Sequence, residues 1–267
     1  MSKIRTFFWA TTLLSTSIAF AGNPPEAVLK NFSDTQRQEL KQYMQQYLMS
    51  NPQVIVAAVQ KMQLEQQAKQ TAVSKNAAMA QAVALTQAKS SPTLNGGPVT
   101  VVEFYDYQCS VCHMMFSVTE QFRKDNPNVR FVLKEFPIFG PASEYAAKAT
   151  IAAFLQGQDK FHALHNALFK STLMEGNLKN TDVDAMAQKA GLDMAKLKTD
   201  MDSAATKAEL KQNYALAKAL NLSGTPAFIV LPTDPSNKKQ LQKLSFIPGG
   251  TDAHTLNQAV LQLTSSK

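Results

Sequence analysis

Cys109 and Cys112 are the only cysteines in the 267-residue chain, and Ser110 and Val111 stand between them. Two thiols at that spacing can close into a disulfide and reopen by exchange with another chain, moving two electrons each time. How readily they do so depends on their setting. Val99, Val101, Val102, Phe104, Tyr105 and Tyr107 make a nearly continuous β-branched and aromatic run, the pattern of a strand buried on both faces. Beyond the cysteines, Met115, Phe116, Val118, Thr119 and Phe122 take up helical spacing. The pair therefore falls at a strand-to-helix turn, with both sulfurs close to a helix N-terminus. The macrodipole and free amides there favour an anion and lower the pKa of the first thiol from about 8.5. A stabilised thiolate is a good leaving group, so a disulfide between these residues would be passed on readily.

Two other uses of the cysteines compete with this one. With His113, His162 and His165 they could complete a zinc site, but His162 and His165 belong to an amphipathic helical pattern, and no second tight ligand pair is present. A structural disulfide is the other, yet a two-residue loop constrains the unfolded chain little.

The elements that must position the pair are legible on both sides. Glu103 lies within the first strand, six residues before Cys109, where desolvation should raise its pKa and let it exchange a proton beneath the disulfide. A second strand is expected over residues 129–136, and Lys134 interrupts it as a candidate charge partner for Glu103; a solvent-facing edge position is the alternative for both. Helical patterns follow at 143–156, 160–169, 182–189, 193–203 and 206–220, an insertion between strands rather than simple alternation. Sheet signals return at Gly224-Thr225-Pro226-Ala-Phe-Ile-Val, where Pro226 belongs at a strand start and a cis bond is plausible. A strand at 244–248, Gly249-Gly250 and a closing amphipathic helix at 251–263 complete the chain.

Upstream, Lys3 and Arg5 precede an apolar run and Ala19-Phe20-Ala21, the pattern of a cleaved secretory signal at residues 1–21. Its removal lowers the formal charge of +7 by two. The remaining Lys and Arg are scattered and form no aromatic-interleaved patch, which argues against nucleic acid. Export into an oxidising compartment suits a dithiol that donates disulfides. Residues 22–90 read as a helical arm. Ser33 caps a helix bearing Leu40, Tyr43, Met44, Tyr47 and Leu48; Ser50-Asn51-Pro52 ends it and opens another with Val54, Ile55, Ala58, Val59 and Met62. Such helices cannot build a core alone, so the stripe needs a second chain or the downstream domain. The Ala- and Gln-rich stretch that follows reads as a semi-rigid spacer, and residues 91–98 as a linker.

The order strand, Cys-x-x-Cys helix, strand, helical insertion, Thr-Pro strand, strand and helix resembles the DsbA-like thiol-disulfide oxidoreductases, over roughly residues 98–267. The motifs that carry the resemblance are Glu103-Phe-Tyr-Asp-Tyr-Gln-Cys109-Ser-Val-Cys112, Lys134-Glu-Phe-Pro-Ile-Phe-Gly-Pro141 and Gly224-Thr-Pro226. The resemblance implies an α/β thioredoxin-like fold with an inserted helical domain at about 142–220, preceded by an α-helical oligomerisation arm. It implies Cys109 as the exposed nucleophile, Cys112 as the buried resolving cysteine and Glu103 as the proton-handling acid. It also places Gly224, Thr225 and a cis Pro226 beside the sulfurs, where substrate chains bind. Strongly oxidising monomeric members carry histidine just before the second cysteine. Here that residue is Val111, and the histidine, His113, follows, leaving the helix terminus and His113 to stabilise the Cys109 thiolate. Thr225 resembles the isomerase members. The expectation is a periplasmic homodimer, or a trimer, that needs no metal or organic cofactor. It would form or isomerise disulfides in unfolded or misoxidised secreted proteins and exchange electrons with a membrane or periplasmic redox partner. The rival is a redox-inactive holdase with an apolar cleft near Met114, Met115, Phe136 and Phe139.

Overall fold

The computed structural model describes residues 31–86 and 91–265, so the expected signal peptide at 1–21 lies outside the described residues. Two compact units meet in sequence at Gln63 and Leu64. In the first, α1 (Asp34–Ser50) starts at the expected cap: the Ser33 hydroxyl accepts from the Gln36 amide, and the Gln36 side chain accepts from the Ser33 amide. Pro52 opens α2 (Pro52–Ala80) at the position where a missing N–H costs nothing. None of the residues of α1 is buried, and Tyr43, Met44, Tyr47, Ile55 and Met62 are all exposed.

The second unit takes in residues 64–80 of α2 and the short α3 (Ala82–Thr86). Its sheet has the order β1-β3-β2-β4-β5, built from β1 (Thr93–Leu94), β2 (Val99–Tyr105), β3 (Val129–Glu135), β4 (Ala227–Pro232) and β5 (Ser245–Pro248). β2 and β3 are parallel and joined by α4 (Ser110–Asp125), while β4 pairs antiparallel with both β2 and β5. Between β3 and β4 come α5 (Pro141–Gln156), α6 (Gln158–Lys170), α7 (Asn180–Lys189), α8 (Met194–Met201) and α9 (Ala204–Ala219). A single turn, α10 (Lys238–Leu241), precedes β5, and α11 (Ala253–Thr264) closes the unit. This is the thioredoxin-like fold with a helical insertion.

Strand alternation divides the core in two. Val99, Val101 and Tyr105 share one face with Phe131, Leu133, Phe228 and Val230, under α4, α11 and inserted helices. Val102, Phe104, Val132, Ile229 and Leu231 occupy the other face. Every residue of β2 is buried, as a strand covered on both sides requires.

Two upstream expectations need correction. The spacer does not stand free over its whole length: Ala78, Ala82 and Leu85 are buried in the second face of the sheet. Ser74, Ala78, Ala82 and Leu85 form an i, i+4, i+8, i+11 stripe in which small side chains let the helix approach the strands. A reading weighted toward large apolar residues passes over such a stripe. The linker, too, is part of the sheet. Thr93 and Leu94 pair with Val132 and Phe131, and the Leu133 amide donates to Pro92 at 2.9 Å. Gly97 is required by its surroundings, since a Cβ there would lie 1.7 Å from the Asn128 carbonyl oxygen.

Candidate active site

Cys109 is the N-cap of α4, and its sulfur accepts from the Cys112 amide at 3.3 Å. The thiol in turn donates to the Thr225 carbonyl at 3.2 Å. The two cysteines are pushed in opposite directions. Cys109 falls from 9.0 to about 6, first because of the Cys112 side chain, with further help from the Thr225 side chain and the amides of Cys112 and Val111, all against the upward push of burial. Cys112 is raised far above the ordinary thiol range, chiefly by burial. Exposure does not separate them as the resemblance implies: Cys109 is only 3% exposed and Cys112 1%. The Thr225 carbonyl beside the sulfur and the turn itself cover Cys109. The chemical distinction between the cysteines comes from hydrogen bonding and depth.

The Thr225–Pro226 peptide bond is cis, and Pro226 leads directly into β4. Gly224 stands just before Thr225, where an added Cβ would meet nothing within 4 Å, so packing does not demand glycine there.

His113 does not serve the Cys109 sulfur as expected. Its Nε2 lies 2.7 Å from the Tyr107 carbonyl oxygen, and its ring packs edge-on against Phe169. The polar residues just before the cysteines brace the turn instead, a role the sequence reading did not assign. Asp106 accepts from the amides of Gln108, Ile138 and Phe139 at 2.8, 2.6 and 2.9 Å. Gln108 donates to the Phe139 carbonyl and Ser143 Oγ and accepts from the Gly176 amide. Ile138 and Phe139 are thereby held with their side chains exposed, as is Met114, whereas Met115 is buried and Phe136 half-buried. An acidic residue and an amide flanking a buried tyrosine at a strand end were the available signal.

Glu103 is buried and pushed from 4.5 to about 7 by desolvation, with Arg123 opposing. Lys134 is not its partner. Glu103 pairs in register with Leu133 and Phe228, whereas Lys134 pairs with Phe104, so the two side chains lie on opposite faces of the sheet. On its own face Lys134 is fully buried, 3.3 Å from Glu209 and 2.5 Å from the Ser91 hydroxyl. Lys134 therefore lies outside the cysteine site.

On the cysteine face a second acid takes part in a network that the sequence reading missed. Glu135 Oε1 accepts from Tyr105 at 2.6 Å, Tyr107 at 3.1 Å and Thr150 at 2.6 Å, and burial raises Glu135 to about 8. Tyr107 also meets His165 Nδ1 at 2.8 Å, and burial holds His165 well below its ordinary value. The alternation of Tyr105 and Tyr107 was visible, but a helical histidine 58 residues away gave no local sign of joining them.

One thiol pushed down and the other pushed up across the first turn of α4, beside the Thr225–Pro226 segment of this sheet, make a dithiol site of the thioredoxin-like fold. The family described as the DSBA-like thioredoxin domain matches residues 100–261, and the chain belongs to it. Among solved structures, BcfH of Salmonella enterica Typhimurium is 33% identical, with 90% of this chain and 99% of that one covered and a TM-score of 0.71. A thioredoxin-like oxidoreductase from Silicibacter pomeroyi is also 33% identical, covering 69% and 98%, with a TM-score of 0.60. The thiol:disulfide interchange protein DsbA of Bordetella parapertussis is 30% identical over 142 residues, 52% of this chain and 66% of that one. Two Na(+)/H(+) antiporters of Salinispora match over 135 residues, so the chain spans 20% of the length of those curated relatives. No helix among the described residues is long and apolar enough to cross a membrane.

Proposed function

We propose that the chain is an exported, periplasmic enzyme that forms and isomerises disulfides in secreted proteins through Cys109 and Cys112. The opposite displacement of the two thiols across one helical turn carries this reading. In oxidation, a substrate thiolate attacks the Cys109 sulfur of the disulfide form. The Cys109–Cys112 bond breaks, and Cys112 leaves and takes up a proton. A second substrate thiolate then attacks the mixed disulfide, releasing Cys109 as a thiolate, so two electrons have passed to the enzyme. In isomerisation, the reduced enzyme starts: Cys109 thiolate attacks a wrong disulfide, the freed substrate thiol attacks elsewhere, and Cys109 is displaced with no net electron transfer. Glu103 supplies and receives protons near neutral pH. The backbone at Thr225, beside the sulfur and leading into β4, pairs with the incoming extended chain, with Gly224 and Pro226 shaping that edge. Re-oxidation falls to a membrane or periplasmic partner.

Cys109→Ser should abolish both activities, and Cys112→Ser should accumulate mixed disulfides through Cys109. A small alkylating reagent at neutral pH should modify Cys109 first. Preferential labelling of Cys112 would overturn the assignment. A Cys109→Ser protein that protects unfolded chains as well as the parent, where the parent shows no redox turnover, would favour the holdase reading.

The exposed stripe on α1 and the start of α2 serves assembly into a homodimer, with a trimer as the alternative. Tyr43 and Tyr47 stack at 6.4 Å on a helix with no buried residue, and large apolar side chains left so open need a second copy to cover them. Two joined sites then grip one misfolded substrate at raised effective concentration. Replacing both tyrosines with glutamate should yield a monomer that oxidises thiols but refolds a scrambled multi-disulfide substrate poorly. A parent protein that sediments as a monomer removes assembly from the mechanism.

A further inference from the structure

The connection from β5 to α11, residues 249–252, closes one side of the redox turn. The Gly249 amide donates to the Pro226 carbonyl at 2.9 Å, and the Thr251 amide donates to Met115 Sδ at 3.3 Å. Both bonds come from the loop backbone, one to the cis-proline segment and one to α4. Between them stands Gly250. A Cβ built there would lie 3.0 Å from Val111 Cγ1 and 3.9 Å from Met115 Sδ. Gly249 has φ +80°, a conformation that favours glycine, but Gly250 does not have such a backbone. At residue 250 it is the missing side chain, rather than unusual backbone freedom, that the neighbours use.

Val111 lies between the two cysteines, and its amide is among the groups that lower Cys109. Its side chain packs against the same core as Ile247 of β5. A shift of the Val111 side chain therefore moves an amide aimed at the sulfur, in a turn where the neighbouring Cys112 amide already sits 3.3 Å away. Hydrogen bonds to an anion weaken steeply with distance and angle.

We propose that Gly250 is a positioning residue of the thiol-disulfide reaction. By leaving room for Val111, it lets the loop hold the first turn of α4 so that the amides of Val111 and Cys112 point at the Cys109 sulfur. This rests on the reading of Cys109 as the reacting thiol. An alanine at 250 would press on Val111 Cγ1 and move it by a few tenths of an ångström, while the two backbone bonds of the loop would keep the loop itself in place.

The test is a pH titration of the ultraviolet thiolate absorbance of the reduced full chain. It uses the parent, Gly250→Ala, Val111→Ala and the double variant, with thermal unfolding as a check on folding. Gly250→Ala should raise the Cys109 midpoint by roughly half a unit to one unit, a three- to tenfold loss in thiolate stability. The double variant should return to the midpoint of Val111→Ala alone, because the smaller side chain restores the space. An unchanged midpoint in Gly250→Ala, or an equal rise in both backgrounds, overturns the proposal. Should Gly250→Ala fail to fold while the double variant folds, the same contact is supported; failure of both overturns it. A parent with no midpoint well below the ordinary thiol value would instead refute the reading of Cys109, which keeps the two failures distinct.

Discussion

The two faces of the sheet both bury ionisable groups and treat them in opposite ways. On the cysteine face, Glu103 and Glu135 are raised to about 7 and 8 by burial, and the close neighbours of Glu135 are hydroxyls. On the other face, Lys134 is held against Glu209, with the Ser91 hydroxyl bonded to both. Burial pulls the Lys134 pKa down and the facing Glu209 carboxylate opposes it, so each charge there is held by its opposite. An acid buried without a cation in contact keeps its proton up to neutral pH and can surrender it there. The first arrangement suits a scaffold, and the second suits exchange chemistry that must move protons along with sulfur bonds.

The comparison breaks most visibly at Lys134. Lys134→Met removes the buried ammonium that faces Glu209 at 3.3 Å and should cost about 3–5 kcal/mol in denaturant unfolding. The Cys109 thiolate midpoint should stay where it is, because the substitution is on the opposite face. Adding Glu209→Leu should recover most of the loss, since an apolar pair can replace a buried ion pair at little cost. A shift in the thiolate midpoint would show that the faces are coupled.

On the cysteine face the effects should depend on pH, and their signs differ. Cys109 is lowered from 9.0 to about 6, so it stabilises the reduced protein fully above the unfolded value, and that stability is lost as pH falls through the folded one. The disulfide form has no such contribution. The stability of the reduced form relative to the oxidised form should therefore rise between pH 6 and 9, by about 2 kcal/mol once solvent screening at the sulfur is allowed for. A flat difference in denaturant unfolding across that window would contradict the hydrogen-bonded thiolate. Glu103 acts in the other sense and in both redox forms. Its folded pKa is raised from 4.5 to about 7, so its contribution is full below 4.5 and is lost as pH rises to 7, by about 3 kcal/mol. Glu103→Gln should remove its own share of the slope and slow turnover, while the loss that continues to about pH 8 belongs to Glu135, which burial raises in the same sense. A slope as steep in Glu103→Gln as in the parent would show that Glu103 does not keep its proton in the fold.

The sequence shows how far local pattern reaches. The strand before Cys109, the helix after it, the inserted helices and the Thr-Pro strand were legible because each has its own periodicity or punctuation. Glu103 and its raised pKa were legible because a carboxylate inside an apolar run is desolvated if the strand is central, and the buried strand decides that against a solvent-facing edge. The partner of Lys134 was not, because one step along a strand changes the face, and only the register with β2 shows that Lys134 and Glu103 point apart. Ala78 and Ala82 were missed as core because small residues on a helix look alike whether they meet solvent or a sheet. The bond from Tyr107 to His165 depends on tertiary packing that no short window contains.

The smallest effect tests the paired face from its edge. Ser91 was read as linker, yet it is 1% exposed and its hydroxyl joins Lys134 to Glu209. Ser91→Ala removes that oxygen but leaves both charges facing each other at 3.3 Å. The loss is then one charge-assisted hydrogen bond, about 1.5–3 kcal/mol at most and less where the pair closes the gap. Stability should fall at neutral pH, where the Glu209 carboxylate opposes the downward push of burial on Lys134, and the Cys109 midpoint should not move. A loss as large as that of Lys134→Met would mean that Ser91, and not the opposite charge, keeps the lysine buried. A loss that grows with pH would mean that Lys134 sheds its proton within the fold once the hydroxyl is gone, which would make this face an exchanger of protons like the other.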